Sequence, residues 1–255
     1  MTGVGPLFHV KVCGVTTPAD AALAAAAGAD AIGLNFVAGS PRRIDVATAR
    51  AVADAVPAGV LVVGVFAGVP ATEVVATARA ARLGAVQLHG HLVGEGAGVD
   101  SPEACAEVRA ALGSLPLIRA VRLGTDGLAE ARRWLAAATA VGATPDFLIV
   151  DAAAAAGVSA GSLGGTGARV DWRALAAAGP LGLGWALAGG LDPRNVAEAI
   201  RVSGAEAVDV ASGVESAPGR KDPEMVRAFV AAARAALPGG PVRPPEARYY
   251  GASRA

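Results

Sequence analysis

Aromatic side chains are scarce in this chain: Phe, Trp and Tyr together make 4% of its 255 residues. A core must therefore be assembled from Val, Leu, Ile and Ala. Neither sign of charge is in excess, with 22 Lys and Arg against 22 Asp and Glu. The missing basic surplus argues against a nucleic-acid partner. Two cysteines, Cys13 and Cys105, cannot frame a disulfide-stapled fold. No window offers the ~18 uninterrupted apolar residues that a membrane span needs. The richest, residues 19–31, is broken by Asp20, Gly28 and Asp30. Residues 1–8 have neither a basic region nor a long apolar stretch, so no signal peptide is expected. These absences together predict a cytoplasmic protein of a reduced compartment, without a membrane partner.

What is present is apolar and small. Hydrophobic residues make 53% of the chain and charged ones 17%, which excludes a disordered chain. Alanine occurs 64 times and glycine 34 times. Short β-branched runs alternate with longer alanine-rich runs of helical spacing. Strands are expected at Phe8–Cys13, Ala31–Asn35, Val60–Phe66, Ala85–His89, Leu117–Val121, Phe147–Val150, Gly184–Ala188 and Ala207–Val210. Helices are expected at 17–27, 46–56, 70–82, 101–112, 125–140, 171–178, 192–203 and 222–236. Proline stands in the first turn of several, as in Thr17-Pro18, Ser101-Pro102, Asp192-Pro193 and Asp222-Pro223, where its missing N–H costs little. Glycine follows several as the left-handed stop, among them Gly28, Gly84, Gly113 and Gly204.

Strands joined through helices run parallel, and eight such units fit a closed (β/α)8 barrel over residues 1–237. A doubly wound open sheet is the alternative. It is weakened because Cys13-Gly14-Val15-Thr16, and no G-x-G-x-x-G, follows the first strand. Residues 238–255 read as a solvated, mobile tail without periodicity.

Active sites of such barrels lie at the carboxyl ends of the strands. The polar residues expected there are Lys11 and Cys13, Asn35 with Arg42 and Arg43, Gln87 and His89, Arg119 and Arg122, Asp151, and Asp209 with Ser212. The turns after the last three strands carry Gly164-Gly165-Thr166-Gly167, Gly189-Gly190 and Ser212-Gly213. Glycine lets backbone N–H groups approach an anion, so three such turns suggest a phosphate cradle. His89-Gly90-His91 lacks a third ligand nearby, so no metal is expected. Cys105, between two alanines on a helical face, reads as structural. Lys11 shares strand parity with Cys13, and Asp209 lies on the neighbouring last strand once the barrel closes. Their pairing can be structural or can belong to the site.

Several pieces in order resemble the phosphoribosylanthranilate isomerase family. They are VKVCGVT at 10–16, GADAIGLNF at 28–36, SPRR at 40–43, AVQLHG at 85–90, LIVDA at 148–152, GGTG at 164–167, LAGGLDPRNVAEAI at 187–200 and VDVASGVESAPGRKD at 208–222. The resemblance implies a barrel that isomerises a phosphosugar by an Amadori rearrangement, without metal or organic cofactor. It implies Cys13 as general base and Asp151 as general acid, facing each other across the barrel mouth. Arg42 would hold the anthranilate carboxylate, with Arg119 or Arg122 as alternatives. His89 and Asp209 would line the substrate site. Gly165, Thr166, Gly167, Gly189, Gly190, Ser212 and Gly213 would hold the phosphate.

The sequence departs from the family pattern at Ala168-Arg169, at Ala67-Gly68 and in the alanine-rich stretch after Asp151. A related phosphosugar barrel enzyme and a silent binding paralogue stay open beside the isomerase. The oligomeric state is open too, with a monomer as the default.

Overall fold

A computed structural model describes residues 6–89, 101–152 and 171–239. Eight parallel strands close into a barrel in sequence order: β1 (Val10–Cys13), β2 (Ala31–Asn35), β3 (Leu61–Phe66), β4 (Ala85–Leu88), β5 (Leu117–Leu123), β6 (Phe147–Ala152), β7 (Trp185–Leu187) and β8 (Ala207–Val210). Helices follow them in turn: α1 (Pro18–Ala26), α2 (Val46–Asp54), α3 (Ala71–Ala81), α4 (Pro102–Leu112), α5 (Ala129–Ala140), α6 (Trp172–Ala177), α7 (Val196–Ser203) and α8 (Pro223–Ala236). None of the described helices is long and apolar enough to cross a membrane.

Strand alternation sorts the side chains into two buried sets. Val10, Val12, Ile32, Leu34, Val86, Leu88, Val121, Leu148, Val150 and Val208 face outward and join the helices in the main core. Ala31, Leu61, Val63, Ala85, Ile118, Ala120, Ile149, Ala186 and Ala207 fill the barrel interior. Phe8 and Phe147 meet edge-to-face among them, ring centroids 5.1 Å apart. Inside the barrel the scarcity of aromatics is thus met by these two rings and many small residues.

Five of the eight described helices start on a side-chain cap. Thr17 accepts from the Asp20 amide, Ser101 from Ala104, and Asp222 from Glu224 and Met225. Two starts differ from expectation. Helix α7 begins at Val196 because Asp192 turns its carboxylate onto the Arg194 and Asn195 amides, making a separate turn first. Helix α5 begins at Ala129 because Gly124 and Gly127 exchange backbone hydrogen bonds in a closed turn.

The stop of α3 also differs. Arg82, not Gly84, takes the left-handed conformation, at φ +54°. Gly84 serves packing instead, since a Cβ there would lie 2.9 Å from Leu61 Cδ1.

One element was not anticipated. After β8 a 3-10 turn (Ser212–Val214) leads into a hairpin of β9 (Glu215–Ala217) and β10 (Arg220–Lys221), which precedes α8. Strands of three and two residues carry too little alternation to be read as such.

A left-handed conformation costs an L-residue roughly 1–2 kcal/mol, part of which glycine gives back in chain entropy. Arg82→Gly is therefore expected to stabilise the protein by about 1 kcal/mol in urea unfolding, because Arg82 is exposed.

Candidate functional site

The strand register carries an unusual set of groups to one end of the barrel. Lys11 pairs with Asp209 across the β1–β8 seam. Both side chains are buried, and Lys11 Nζ donates to Asp209 Oδ2 at 2.9 Å. Cys13 lies two residues further along the same face of β1. Gly33 sits opposite it on β2, where a Cβ would fall 2.5 Å from Cys13 Sγ. Glycine at 33 thus leaves the space that the thiol fills. Gly14 turns the chain at φ +72°, and a Cβ there would meet Arg42 Cδ at 2.4 Å. The Arg42 side chain therefore crosses directly over the residue after Cys13.

Burial pushes the Cys13 thiol above its ordinary pKa; the Lys11 ammonium opposes this, Asp209 adds to it, and Lys221 opposes it more weakly. Burial also works against the charge on Lys11. Asp209 and Cys13 outweigh it, and Lys11 is held above the ordinary lysine value. The groups that act on the thiol are thus its neighbours on β1, β8 and β10.

Asp151, on β6, has His89 beside it, with Nε2 3.8 Å from Oδ2. That is too long for a hydrogen bond and is an ion pair only if the imidazole is protonated. Arg122 is the β5 register partner of Asp151 and shares its face of the sheet. Arg119 does not belong to this end of the site. It has the opposite parity, is 1% exposed, and lies with its guanidinium carbon 4.7 Å over the Trp134 ring of α5. That position removes it as an alternative anchor for a substrate carboxylate.

Arg42 is half-buried and Arg43 exposed. Arg42 already holds a partner: Nε and Nη2 donate to the two oxygens of Glu215 at 2.8 and 2.7 Å. This carboxylate hydrogen bond raises the guanidinium pKa. Burial tends to raise the Glu215 pKa, but Arg42 and Lys221 override it and hold it below the usual carboxylate range. Neither Glu215 nor Lys221 was singled out in the sequence, although both lie in the ESAPGRKD run. The available signal was an acid and a base flanking a Pro-Gly turn.

The turns after β7 and β8 touch. A Cβ on Gly213 would stand 1.8 Å from the Leu191 carbonyl oxygen, so the Ser212–Gly213 turn rests on the segment that follows Gly189 and Gly190. Both of those glycines have positive φ, and the Gly190 carbonyl accepts from Asn195 Nδ2 at 2.9 Å. The third expected turn, with Gly165, Thr166 and Gly167, lies outside the described residues, as do His91 and the tail beyond residue 239. Among the described residues no three His, Cys, Asp or Glu side chains gather as a metal site.

Two polar atoms at this end of the barrel, Asp209 Oδ1 and Gln87 Oε1, are buried and accept no hydrogen bond from the described residues. A buried acceptor left open is costly, which makes it a natural place for a ligand donor.

The model of the N-(5'phosphoribosyl)anthranilate (PRA) isomerase family matches residues 10–232. The chain is 43% identical over 228 residues to the N-(5'-phosphoribosyl)anthranilate isomerase of Ruegeria sp., covering 89% of this chain and 98% of that one. The crystal structure of phosphoribosyl anthranilate isomerase from Thermus thermophilus is similar at 32% identity and a TM-score of 0.72, over 89% of this chain and 98% of that one. A phosphoribosyl anthranilate isomerase in complex with reduced 1-(o-carboxyphenylamino)-1-deoxyribulose 5-phosphate is similar at 28% identity and a TM-score of 0.69, with the same coverage.

Removing one partner of a buried ion pair costs ~3–5 kcal/mol, whereas replacing both by apolar groups is often near neutral. Asp209→Asn should therefore destabilise strongly in urea unfolding, and Lys11→Met with Asp209→Leu should recover most of the loss. The sign with pH follows from the raised Lys11 pKa. The stabilisation is complete below the ordinary lysine value and is lost as pH rises through the folded one. Wild-type stability should fall on that alkaline side, and the double variant should lack this component.

Proposed function

We propose that this chain, which belongs to the N-(5'-phosphoribosyl)anthranilate isomerase family, converts N-(5-phosphoribosyl)anthranilate to 1-(2-carboxyphenylamino)-1-deoxyribulose 5-phosphate in tryptophan biosynthesis. The observation that carries this reading is a cysteine and an aspartate on the inner face of one barrel mouth, Cys13 beside Lys11 and Asp151 beside His89.

The chemistry needs an acid and then a base. Asp151 is assigned the acid: it gives a proton to the ring oxygen while the nitrogen lone pair forms the C1–N double bond and the C1–O bond breaks. Cys13 as thiolate then removes the C2 proton, and the electron pair moves through C1 to the iminium nitrogen. The resulting enolamine gains a proton at C1 and loses the hydroxyl proton at C2, giving the ketone. Burial alone would keep Cys13 as a thiol; the ammonium groups of Lys11 and Lys221 favour the thiolate the step requires.

Arg42 is assigned the anthranilate carboxylate. Because Glu215 takes Nε and one side of Nη2, the substrate would meet the outer donors of a guanidinium already fixed in orientation. The open Asp209 Oδ1 suits a sugar hydroxyl, and His89 would line the same space. The phosphate is assigned to the backbone of Gly165, Thr166, Gly167, Gly189, Gly190, Ser212 and Gly213, where donors stand without side-chain obstruction. All of these residues come from one chain, so the reading needs no second copy. A cytoplasmic setting goes with it, since a catalytic thiol must stay reduced.

The test is the decay of substrate fluorescence on adding the protein; binding without turnover would leave only a silent paralogue. Cys13→Ser and Asp151→Asn should each lower kcat by ~10²–10⁴, the range for general acid–base groups. A near-normal kcat in either variant removes that residue from its role.

Arg42→Ala should act chiefly on KM, because the carboxylate is present in both ground and transition states. A charge-assisted hydrogen bond is worth about 1.5–3 kcal/mol, or roughly 10–150-fold in KM. A loss confined to kcat, or an unchanged KM with the deficit in Arg122→Ala, counts against the assignment.

A further inference from the structure

Lys221 stands 208 positions from Cys13 in sequence and within bonding distance of it in space. Its Nζ donates to the Cys13 carbonyl at 2.6 Å, to the Ala211 carbonyl at 3.1 Å and to Glu215 Oε1 at 2.8 Å. An ammonium has three donors, and all three are used. The side chain is fully buried. No donor is left over for a ligand, so Lys221 is not arranged to grip a phosphate or a carboxylate itself.

Its three acceptors have a meaning in the fold. Cys13 ends β1, and Ala211 follows the last residue of β8. Those strands are neighbours across the barrel seam. Their final carbonyls have run past the β1–β8 ladder, and one ammonium satisfies both. The third bond goes to Glu215, whose Oε1 also accepts from Arg42 Nε. The β9–β10 hairpin that carries Glu215 and Lys221 is itself fastened to the loops at this mouth. Thr16 Oγ1 donates to the Gly219 carbonyl at 2.6 Å, and Gly219 packs against the Pro41 carbonyl and Arg42.

We propose that Lys221 is a positioning residue of this site, fixing the backbone of Cys13 directly and the guanidinium of Arg42 through Glu215. The proposal rests on the isomerase reading, and it adds what keeps the base and the anchor in register. Charge supports it. With Lys11, Lys221, Arg42, Asp209 and Glu215 ionised, the cluster carries one net positive charge, and a Cys13 thiolate makes it neutral. The charged groups facing the thiol are Lys11 on its own strand, Asp209 on β8, Lys221 on β10 and, more distantly, Arg42 from the loop after β2.

The test uses the full chain in a Cys105→Ala background, so that iodoacetamide reports on Cys13 alone. In Lys221→Met the alkylation rate profile should move to higher pH, because a cation that favours the thiolate is gone. The same variant should lose about tenfold or more in kcat. Glu215→Gln should raise KM by roughly tenfold through a loosened Arg42, with kcat much less affected. If Lys221→Met does not fold by circular dichroism, Lys221→Arg serves. It keeps the charge but cannot reach three such acceptors from one atom, so kcat and KM should suffer while the thiol titration stays in place. Normal kinetics in either Lys221 variant overturn the proposal. So does a kcat loss in folded Lys221→Met without a shift of the alkylation profile, which would mark a merely structural lysine. The alkylation arm needs no substrate, so an inactive wild-type protein would sink the isomerase reading and leave the Lys221–Cys13 link decided on its own.

Discussion

Lys11 and Asp209 meet where the chain closes on itself, on the first and last strands of the barrel. A lone ammonium in that place would bear a desolvation penalty of several kcal/mol; the carboxylate across the seam offsets it. The pair can exist only if β1 and β8 are adjacent and in the observed register, because a one-residue slip would turn one partner outward. Barrel closure and the electrostatics of the site are thus one constraint. Cys13 sits two residues beyond Lys11 on the same face and takes its electrostatic surroundings from that closure.

The interior changes character along its length. Around Phe8 and Phe147 it is apolar and filled, with Leu61, Val63, Ile118 and Ile149 set among alanines. At the carboxyl end the same inward positions hold Cys13, Gln87, Asp151 and Asp209. Charged groups can stand there because neighbours supply countercharge. Small residues are part of the same solution. Gly33 makes room for the thiol and Gly14 for the Arg42 side chain, so two glycines shape a site whose working groups lie elsewhere.

Much of this was legible in the sequence. Eight alternating units with proline-led helix starts are a strong long-range signal, and strand parity by itself puts Lys11 and Cys13 on one face. Closure makes the strands of Lys11 and Asp209 neighbours, and the observed register then pairs the two residues. What was not legible is local or irregular. A hairpin of two short strands leaves no periodic trace, so Glu215 and Lys221 gave no sign of reaching Arg42 and Cys13. Arg82 took the left-handed position that Gly84 was expected to fill, because the stop is set by where the last turn of α3 ends. Arg119 looked like a residue of the mouth from its strand. Its parity and the Trp134 ring on α5 turn it to the helix layer instead.

The hairpin also bears on how a half-buried thiol could serve as the proposed base. Burial disfavours the thiolate, and a cation close to the sulfur is the usual remedy. Lys11 cannot supply it alone, since Asp209 shares its charge at 2.9 Å and itself raises the Cys13 pKa. A second cation is needed that is not fully neutralised. Glu215 is divided between Lys221 and Arg42, so one carboxylate faces two cations and a positive charge is left near the mouth. That surplus can favour a thiolate on Cys13 and can attract a substrate bearing a carboxylate and a phosphate. The two uses are in tension, because an anion that binds satisfies the charge the thiolate had enjoyed. Fixing Arg42 toward the loop and Lys221 toward the strand ends separates them in space: the guanidinium would face the ligand, and the ammonium stays with the backbone of the proposed base.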